Sequence, residues 1–535
     1  MKYLSFFLLF FCNNIFAQID SFPYKITWGN ETRRPDDSYL YKLVSNGTDG
    51  FIGVRLKMAN FFSDGTGHIY LESYNSQNNL LKSNKIDMDY SGKTRTFQNM
   101  FRWKNELYFL TSYRNKKTEI NYLFTQTIDD KLMPSKKLTK IADIEEAGEL
   151  DDGEFDFRFS KDSSKLLVFS RQPQSRKEPE EFHLQVYSPG FQEVVSHDIS
   201  LGYASENFSM EDCQVDKMGN VYILGVVYND ATRLKNREKV NYQYVVQFYP
   251  VDTTILPTEL KLINKENFTS DLTIRLSDDG NLIGAGYFSK KGVDGIQGIT
   301  YLKVNTQTKT IENQTFTPFD IEFLTELMTP KQKKKALNNV SKNDLPELYN
   351  YNLDHLVLRS DGGALLIGEQ YSVEKVYRNN SYGYGLNYGF SRYNQMDRID
   401  YYYHYDDIIV VNVSPSGAIQ WSTHIPKLQT TMNDNGIYSS YSMMVNKDKI
   451  YLLFNDNIKN FSNEKSTLYE FNAGKYSVGA LAEISKDGES KIYLLKSNDQ
   501  NNLLIQPKLC RQMQKKGLTL FGEEGKTYHF GKLEF

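Results

Sequence analysis

Residues 219–226 read Gly-Asn-Val-Tyr-Ile-Leu-Gly-Val, a glycine turn opening directly onto an almost continuous apolar run. Glycine admits the positive φ that a tight hairpin needs. A short run apolar at successive positions is a strand covered on both faces rather than one with a wet side. The same kind of run recurs at Phe51–Leu56 (FIGVRL), Leu107–Ser112 (LYFLTS), Leu166–Ser170 (LLVFS), Leu282–Tyr287 (LIGAGY), Leu365–Glu369 (LLIGE), Ile450–Phe454 (IYLLF) and Leu518–Gly522 (LTLFG). Eight such runs begin 56, 59, 55, 61, 83, 85 and 68 residues apart. Gly280-Asn281 and Asp361-Gly362-Gly363 supply turns like that at Gly219.

Each run is preceded by a shorter strand and followed by a third, such as Tyr242–Tyr249 (YQYVVQFY), Gly298–Asn305 (GITYLKVN), Asp407–Val413 (DIIVVNV) and Gly479–Ser485 (GALAEIS). A further turn, Ser414-Pro415-Ser416-Gly417 in the sixth repeat, leads to a fourth strand, Ala418–His424. Four antiparallel strands per repeat at this period predict an all-β fold, a β-propeller of eight four-stranded blades. Seven blades with one run misassigned, or two packed β domains, are the alternatives. The eighth repeat has strands near Lys508–Gln512, Leu518–Gly522 and Tyr528–Phe535 and then ends, one strand short. Tyr24–Asn30 (YKITWGN) precedes the first repeat without a partner. It is expected to supply the missing strand and close the ring, leaving no long open edge.

At the level of this repeat, and in its Tyr- and Asn-rich composition, the chain resembles uncharacterised secreted β-propeller-like proteins of Bacteroidota. That resemblance implies no particular activity.

The two long spacings place two insertions. Residues 317–352 carry Ile321, Leu324, Leu327 and Met328 at helical spacing, and Thr317-Pro318 and Thr329-Pro330 read as helix starts, so two short helices are expected. Lys331, Lys333, Lys334 and Lys335 on the second helix read as a solvated face. Residues 372–406 hold an unmatched concentration of tyrosines with interspersed Arg378, Arg392, Arg398 and His404. In a meandering blade the loop from second to third strand and the link to the next blade leave on the same side. Both insertions therefore crown one side of the disc, with the longer loops Arg171–Phe182, Asn229–Asn241 and Asn455–Thr467.

At the amino terminus a charge at Lys2, an apolar run Tyr3–Phe11 and a small residue at Ala17 form the pattern of a secretory signal peptide, residues 1–17. The apolar run is shorter than the about 20 residues of a membrane span, and the remainder, 18–535, is expected to be one exported propeller domain, periplasmic or extracellular. A formal charge of −3 argues against a nucleic-acid partner. The aromatic share of 14%, with 38 Tyr and 33 Phe, favours pleated, half-buried surfaces. Beyond the signal only Cys213 and Cys510 remain, on first strands across the ring from each other, so no disulfide is expected.

Catalytic motifs are sparse. The seven histidines show no HExxH or paired ligand spacing, and no metal or cofactor is expected. No GxSxG elbow or GxxxxGK[ST] loop occurs, and Gly383, Gly385 and Gly389 have the wrong spacing for a dinucleotide fingerprint. Asp87-Met88-Asp89-Tyr90-Ser91-Gly92 is similar to the opening of a calcium loop, but its twelfth position is Gln98, so it reads as an inter-blade turn. The expected function is a non-catalytic binding or assembly module presenting its crowned face to an envelope or extracellular protein or polysaccharide. The alternative is a glycoside hydrolase or lyase acting on an extracellular polymer. The expected ligand-binding residues are Tyr382, Tyr384, Tyr388, Arg392 and Tyr393, because tyrosine offers rigid contact area with a hydrogen-bonding tip.

Overall fold

The computed structural model describes residues 22–48, 50–58, 66–90, 92–145, 151–230, 240–262, 267–340, 344–378, 398–462, 467–495, 504–514 and 517–535. All eight apolar runs are second strands of antiparallel sheets. The fourth sheet shows the pattern, with Phe208–Val215, Val221–Tyr228, Tyr242–Tyr249 and Thr258–Lys261 hydrogen-bonded in sequence order. Its first turn is built locally. One carboxylate oxygen of Asp216 accepts from the backbone N–H of Met218, Gly219 and Asn220 at 2.9, 2.8 and 2.9 Å, while Gly219 takes φ 109°. The chain is an eight-bladed β-propeller.

Because each blade is covered on both faces, the core is divided into eight apolar clusters, one at each junction of neighbouring blades. Between the fourth and fifth blades, Tyr222, Leu224, Val226 and Val246 meet Leu272, Ile274 and Leu302. Such interfaces let a chain of this length fold without one oversized core.

The ring closes as the chain ends predict. Lys25–Trp28 pairs with Thr527–Glu534, from Lys25 opposite Glu534 to Trp28 opposite Gly531, and Thr32–Arg33 continues beside Thr527 and Tyr528. Gly531 is required there, since a Cβ would meet the Trp28 ring at 2.6 Å. The eighth blade differs from the expectation at its inner strand. Pro507–Leu509 forms a 3-10 turn and the strand is Arg511–Gln514, because proline at 507 has no N–H for a ladder and suits the first turn of a helix.

The junction between the eighth and first blades carries a buried polar group within its apolar cluster. Arg55 Nε donates to Glu72 Oε2 at 2.8 Å, the Tyr74 hydroxyl donates to the same oxygen at 2.7 Å, and the Arg55 guanidinium lies 3.9 Å from the Tyr528 ring centre.

The first insertion forms helices at Ile321–Thr325 and Pro330–Val340. Thr317 and Pro318 are not a helix start. They finish the outer strand Thr310–Pro318 of the fifth blade, opposite Ile299 and Gly298, and the helix begins behind Asp320. Thr329-Pro330 does open the second helix, where Thr329 and Gln332 exchange hydrogen bonds as a capping box. No residue of that helix is buried, in keeping with a solvated lysine face. Among the described residues no helix is long and apolar enough to cross a membrane.

Two outcomes follow from this architecture. Deleting residues 18–31 removes the outer strand of the closing blade, and the melting temperature of the whole ring should fall by more than about 5 °C; an unchanged melting curve would show that closure does not depend on that strand. Cys213 and Cys510 are both buried and unbonded, with burial pushing each thiol up to about 12. Thiol titration should find two free groups in the unfolded, unreduced protein lacking residues 1–17 and almost none in the folded one.

Candidate functional site

The second and third strands of the sixth blade run on past the blade. Ala364–Arg378 stays paired with Arg398–Val413 from Ala364 opposite Val413 out to Arg378 opposite Arg398, with a bulge between Glu369 and Tyr371. Beyond Gln370 the inner strand no longer accompanies it, and on the opposite edge Thr430–Met432, from the link to the seventh blade, takes the outer strand's place beside Tyr402–His404. The result is an arm on the crowned side of the disc. The alternating tyrosines at its base pack into it. Tyr405 lies 4.6 Å from the Tyr371 ring and accepts from Lys508 Nζ at 2.7 Å, while the Tyr403 hydroxyl donates to Asn435 at 2.8 Å. The candidate binding residues Tyr382, Tyr384, Tyr388, Arg392 and Tyr393 lie outside the described residues.

At the foot of the arm, blades six, seven and eight are tied by a buried polar knot. Lys427 Nζ stands 2.9 Å from Glu369 Oε1, with side-chain exposures of 0% and 4%, and donates to the Tyr405 carbonyl at 2.6 Å. Ser440 Oγ donates to the other Glu369 oxygen at 2.6 Å, Gln429 Nε2 to the Asn455 carbonyl at 2.7 Å, and Asn455 Nδ2 to the Ile505 carbonyl at 2.7 Å. Beside them Asp354 accepts from the Tyr441 hydroxyl at 2.9 Å. Burial, reinforced by the Glu369 charge, raises the Asp354 carboxyl to about 7, and burial raises Asp407 and Asp456 to about 6. These groups point at partners within the chain. Their arrangement holds blades together, and an acid displaced upward by burial is as much a mark of such a tie as of a reacting group. Its only sequence signal is the Glu that ends the otherwise apolar run LLIGE.

A groove opens on the same side between the third and fourth blades. Its outer chamber, of about 260 Å3, is bounded by Asp151 and Glu154 ahead of and at the start of the inner strand, by the loop Gln172–Arg176 after the second strand, and by Ser205 and Glu206 in the link to the fourth blade. Two backbone hydrogen bonds pin that loop to the link, Ser205 N–H to the Glu178 carbonyl at 2.7 Å and Glu206 N–H to the Arg176 carbonyl at 2.8 Å. An inner chamber of about 190 Å3 adjoins it, sharing Glu154 and Arg171, with Phe169, Phe182, Phe208 and Met210 among its walls. Arg171 Nε donates to Glu180 Oε1 at 3.0 Å, which fixes the shared wall. Sequence reading marks the loop from Arg171 as long and crowned, but not the groove it makes.

Among the described residues no three His, Cys, Asp or Glu side chains are placed to hold a metal ion. Asp87 accepts from the Asp89 N–H at 2.9 Å and leads into a two-residue hairpin with Lys93–Thr94.

No known protein family matches the sequence, and no curated protein matches it. Among solved structures, a protein of unknown function from Bacteroides caccae is 11% identical over 67% of this chain and 90% of its own, with a TM-score of 0.27. Prolyl oligopeptidase B from Galerina marginata, bound to a 35mer substrate, is 8% identical over 94% of this chain and 54% of its own, with a TM-score of 0.39. An α-L-arabinanase from Penicillium chrysogenum, complexed with arabinobiose, is 10% identical over 64% of this chain and 93% of its own, with a TM-score of 0.31. Likeness at this level carries no inference about what this chain binds or does.

The Asp354 carboxyl is testable through its proton. Its folded value lies above the ordinary 3.8, so the folded state holds the proton more tightly and this group's contribution to stability falls as pH rises from about 4 to about 7. Asp354→Asn removes that penalty while keeping an oxygen for Tyr441. Its melting temperature relative to the parent should therefore climb by about 3 °C or more between pH 4 and pH 8. A difference that stays flat with pH would show that Asp354 is ionised throughout.

Proposed function

We propose that this chain is an exported, non-catalytic binding module that presents the crowned side of its propeller to an envelope or extracellular protein or polysaccharide. The observation that carries this reading is the asymmetry of the disc. The arm of the sixth blade, the helical insertion and the groove between blades three and four all lie on the side reached by second-to-third-strand loops and inter-blade links. On the other side the first-to-second-strand turns are short, as at Asp216–Asn220 and Ser277–Asn281, each closed by its own side-chain hydrogen bonds. The most displaced carboxyl groups, those of Asp354, Asp407 and Asp456, accept hydrogen bonds from within the chain, which favours binding over hydrolysis or lyase chemistry.

Pull-down from the envelope fraction, together with a glycan array, tests this reading. Replacing Tyr382, Tyr384 and Tyr388 together by Ser should leave stability within about 1 kcal/mol and weaken capture of whatever the parent protein retains. A large loss of stability with intact capture would assign those rings to structure. Release of new reducing ends or unsaturated products from a bound polymer would replace the binding reading with the enzymatic one.

A further inference from the structure

The groove between blades three and four combines three properties that together select a ligand. Its outer chamber is lined by charges that nearly cancel, Asp151, Glu154 and Glu206 against Arg171 and Arg176. A polyanion or a polycation would set some of its charges against like ones at every step along the wall. A ligand whose groups both donate and accept hydrogen bonds, without net charge, meets acceptors and donors alike.

Gln174 makes the same point from a single side chain. Both atoms of its amide, Oε1 and Nε2, are shielded from solvent and have no hydrogen-bond partner among the described residues, although Gln174 lines the chamber. Burying an amide with neither half satisfied is unfavourable, and such groups are few in folded proteins. The rest of the side chain lines the chamber, and a turn of the amide toward it would let a hydroxyl-rich ligand supply an acceptor to Nε2 and a donor to Oε1 at once.

Shape supplies the third property. The two chambers adjoin through Glu154 and Arg171, and the inner one passes between the innermost strands Glu154–Phe159 and Phe208–Val215 against Phe208 and Met210. Each chamber is smaller than a typical small-ligand pocket of roughly 300–1,000 Å3, and the two as one groove fall within that range. A chain of small polar units with apolar faces fits two such consecutive chambers better than one bulky group. The loop that walls the groove is held at both its turn and its link by backbone hydrogen bonds, so the backbone of the site is set before a ligand arrives.

We infer that this groove binds a neutral oligosaccharide, with consecutive sugar units in the two chambers. The inference rests on the binding role proposed for the crowned side and names its ligand class. The test is titration of the full exported protein, by calorimetry and saturation-transfer NMR, with neutral hexasaccharides of β-1,4-glucose, β-1,3-glucose, α-1,4-glucose, β-1,4-mannose and β-1,4-xylose. Oligogalacturonate and oligolysine serve as charged probes. At least one neutral probe should bind with Kd below about 1 mM. Gln174→Ala and Arg176→Ala, neither of which loses a side-chain hydrogen bond among the described residues, should each weaken it by tenfold or more with the melting temperature unchanged. Met218→Ser, in a turn on the opposite side, should change nothing. Neutral binding that ignores both groove substitutions would overturn the assignment of the site. Charged-probe binding that is sensitive to Gln174→Ala, with no neutral binding, would overturn the ligand class and leave the binding role standing. No binding of any probe, together with an empty pull-down and array, would overturn both.

Discussion

The pairing of Lys25–Trp28 with Thr527–Glu534 is the contact on which the rest of the molecule depends. A blade has two apolar faces and no solvated one, so every blade needs a neighbour on each side. An open row of blades would leave an apolar face at both ends. Bending the row into a ring removes both, but only if the last blade is complete. The outer strand of that blade comes from the other end of the chain, which makes closure a single non-local event joining residues more than 500 positions apart along a chain of 535. The Tyr24 ring lies tilted 4.9 Å from that of Phe535, and Phe535 tilted 4.1 Å from Tyr451, so the same strand also cements the seventh blade to the eighth.

The closing junction is reinforced in a way most of the other junctions are not. Arg55 and Glu72, both almost wholly buried, pair within the first blade, where Tyr74 also donates to Glu72, while Tyr528 reaches across the seam to donate to Glu72 and lay its ring against the Arg55 guanidinium. A buried ion pair adds little net stability over well-packed apolar groups, yet a misaligned seam would take the Tyr528 hydroxyl from Glu72 while leaving the charge buried, so the group penalises misaligned closure more than it rewards correct closure. The knot around Glu369 and Lys427 follows the same logic where the arm leaves the sixth blade. There the regular ladder ends, backbone groups need new partners, and Gln429 and Asn455 supply them from the link and the seventh blade.

With closure and the arm secured, one side of the disc is free to vary. The groove between blades three and four draws on residues from two blades and the link joining them, so its form depends on how the blades are set relative to one another. The rigid scaffold beneath lets the loop after Arg171 be pinned to the link by two backbone hydrogen bonds, at Arg176 and Glu178.

Much of this was legible in the residues themselves. Strands such as Val221–Tyr228 and Leu282–Ser289 announce themselves by unbroken apolar runs behind glycine turns, since burial on both faces and positive φ are local demands with local signatures. The strand count of the last repeat likewise implied the closing strand. The limits were equally physical. Thr317-Pro318 resembles a helix start, yet its place in the outer strand of the fifth blade was decided by pairing with Gly298 and Ile299, which no local pattern encodes. Tyr401–Tyr405 falls within the insertion 372–406, and the partner strands on both edges made it an extension of the third strand. By itself the sequence determined the repeat and the side on which long loops gather, and it pointed to eight blades, a count the structure settled against seven. Only the tertiary structure brought Glu369 to Lys427, and set Arg171 and Gln174 facing the link at Ser205 and Glu206, because those contacts depend on the rotation of one blade against the next.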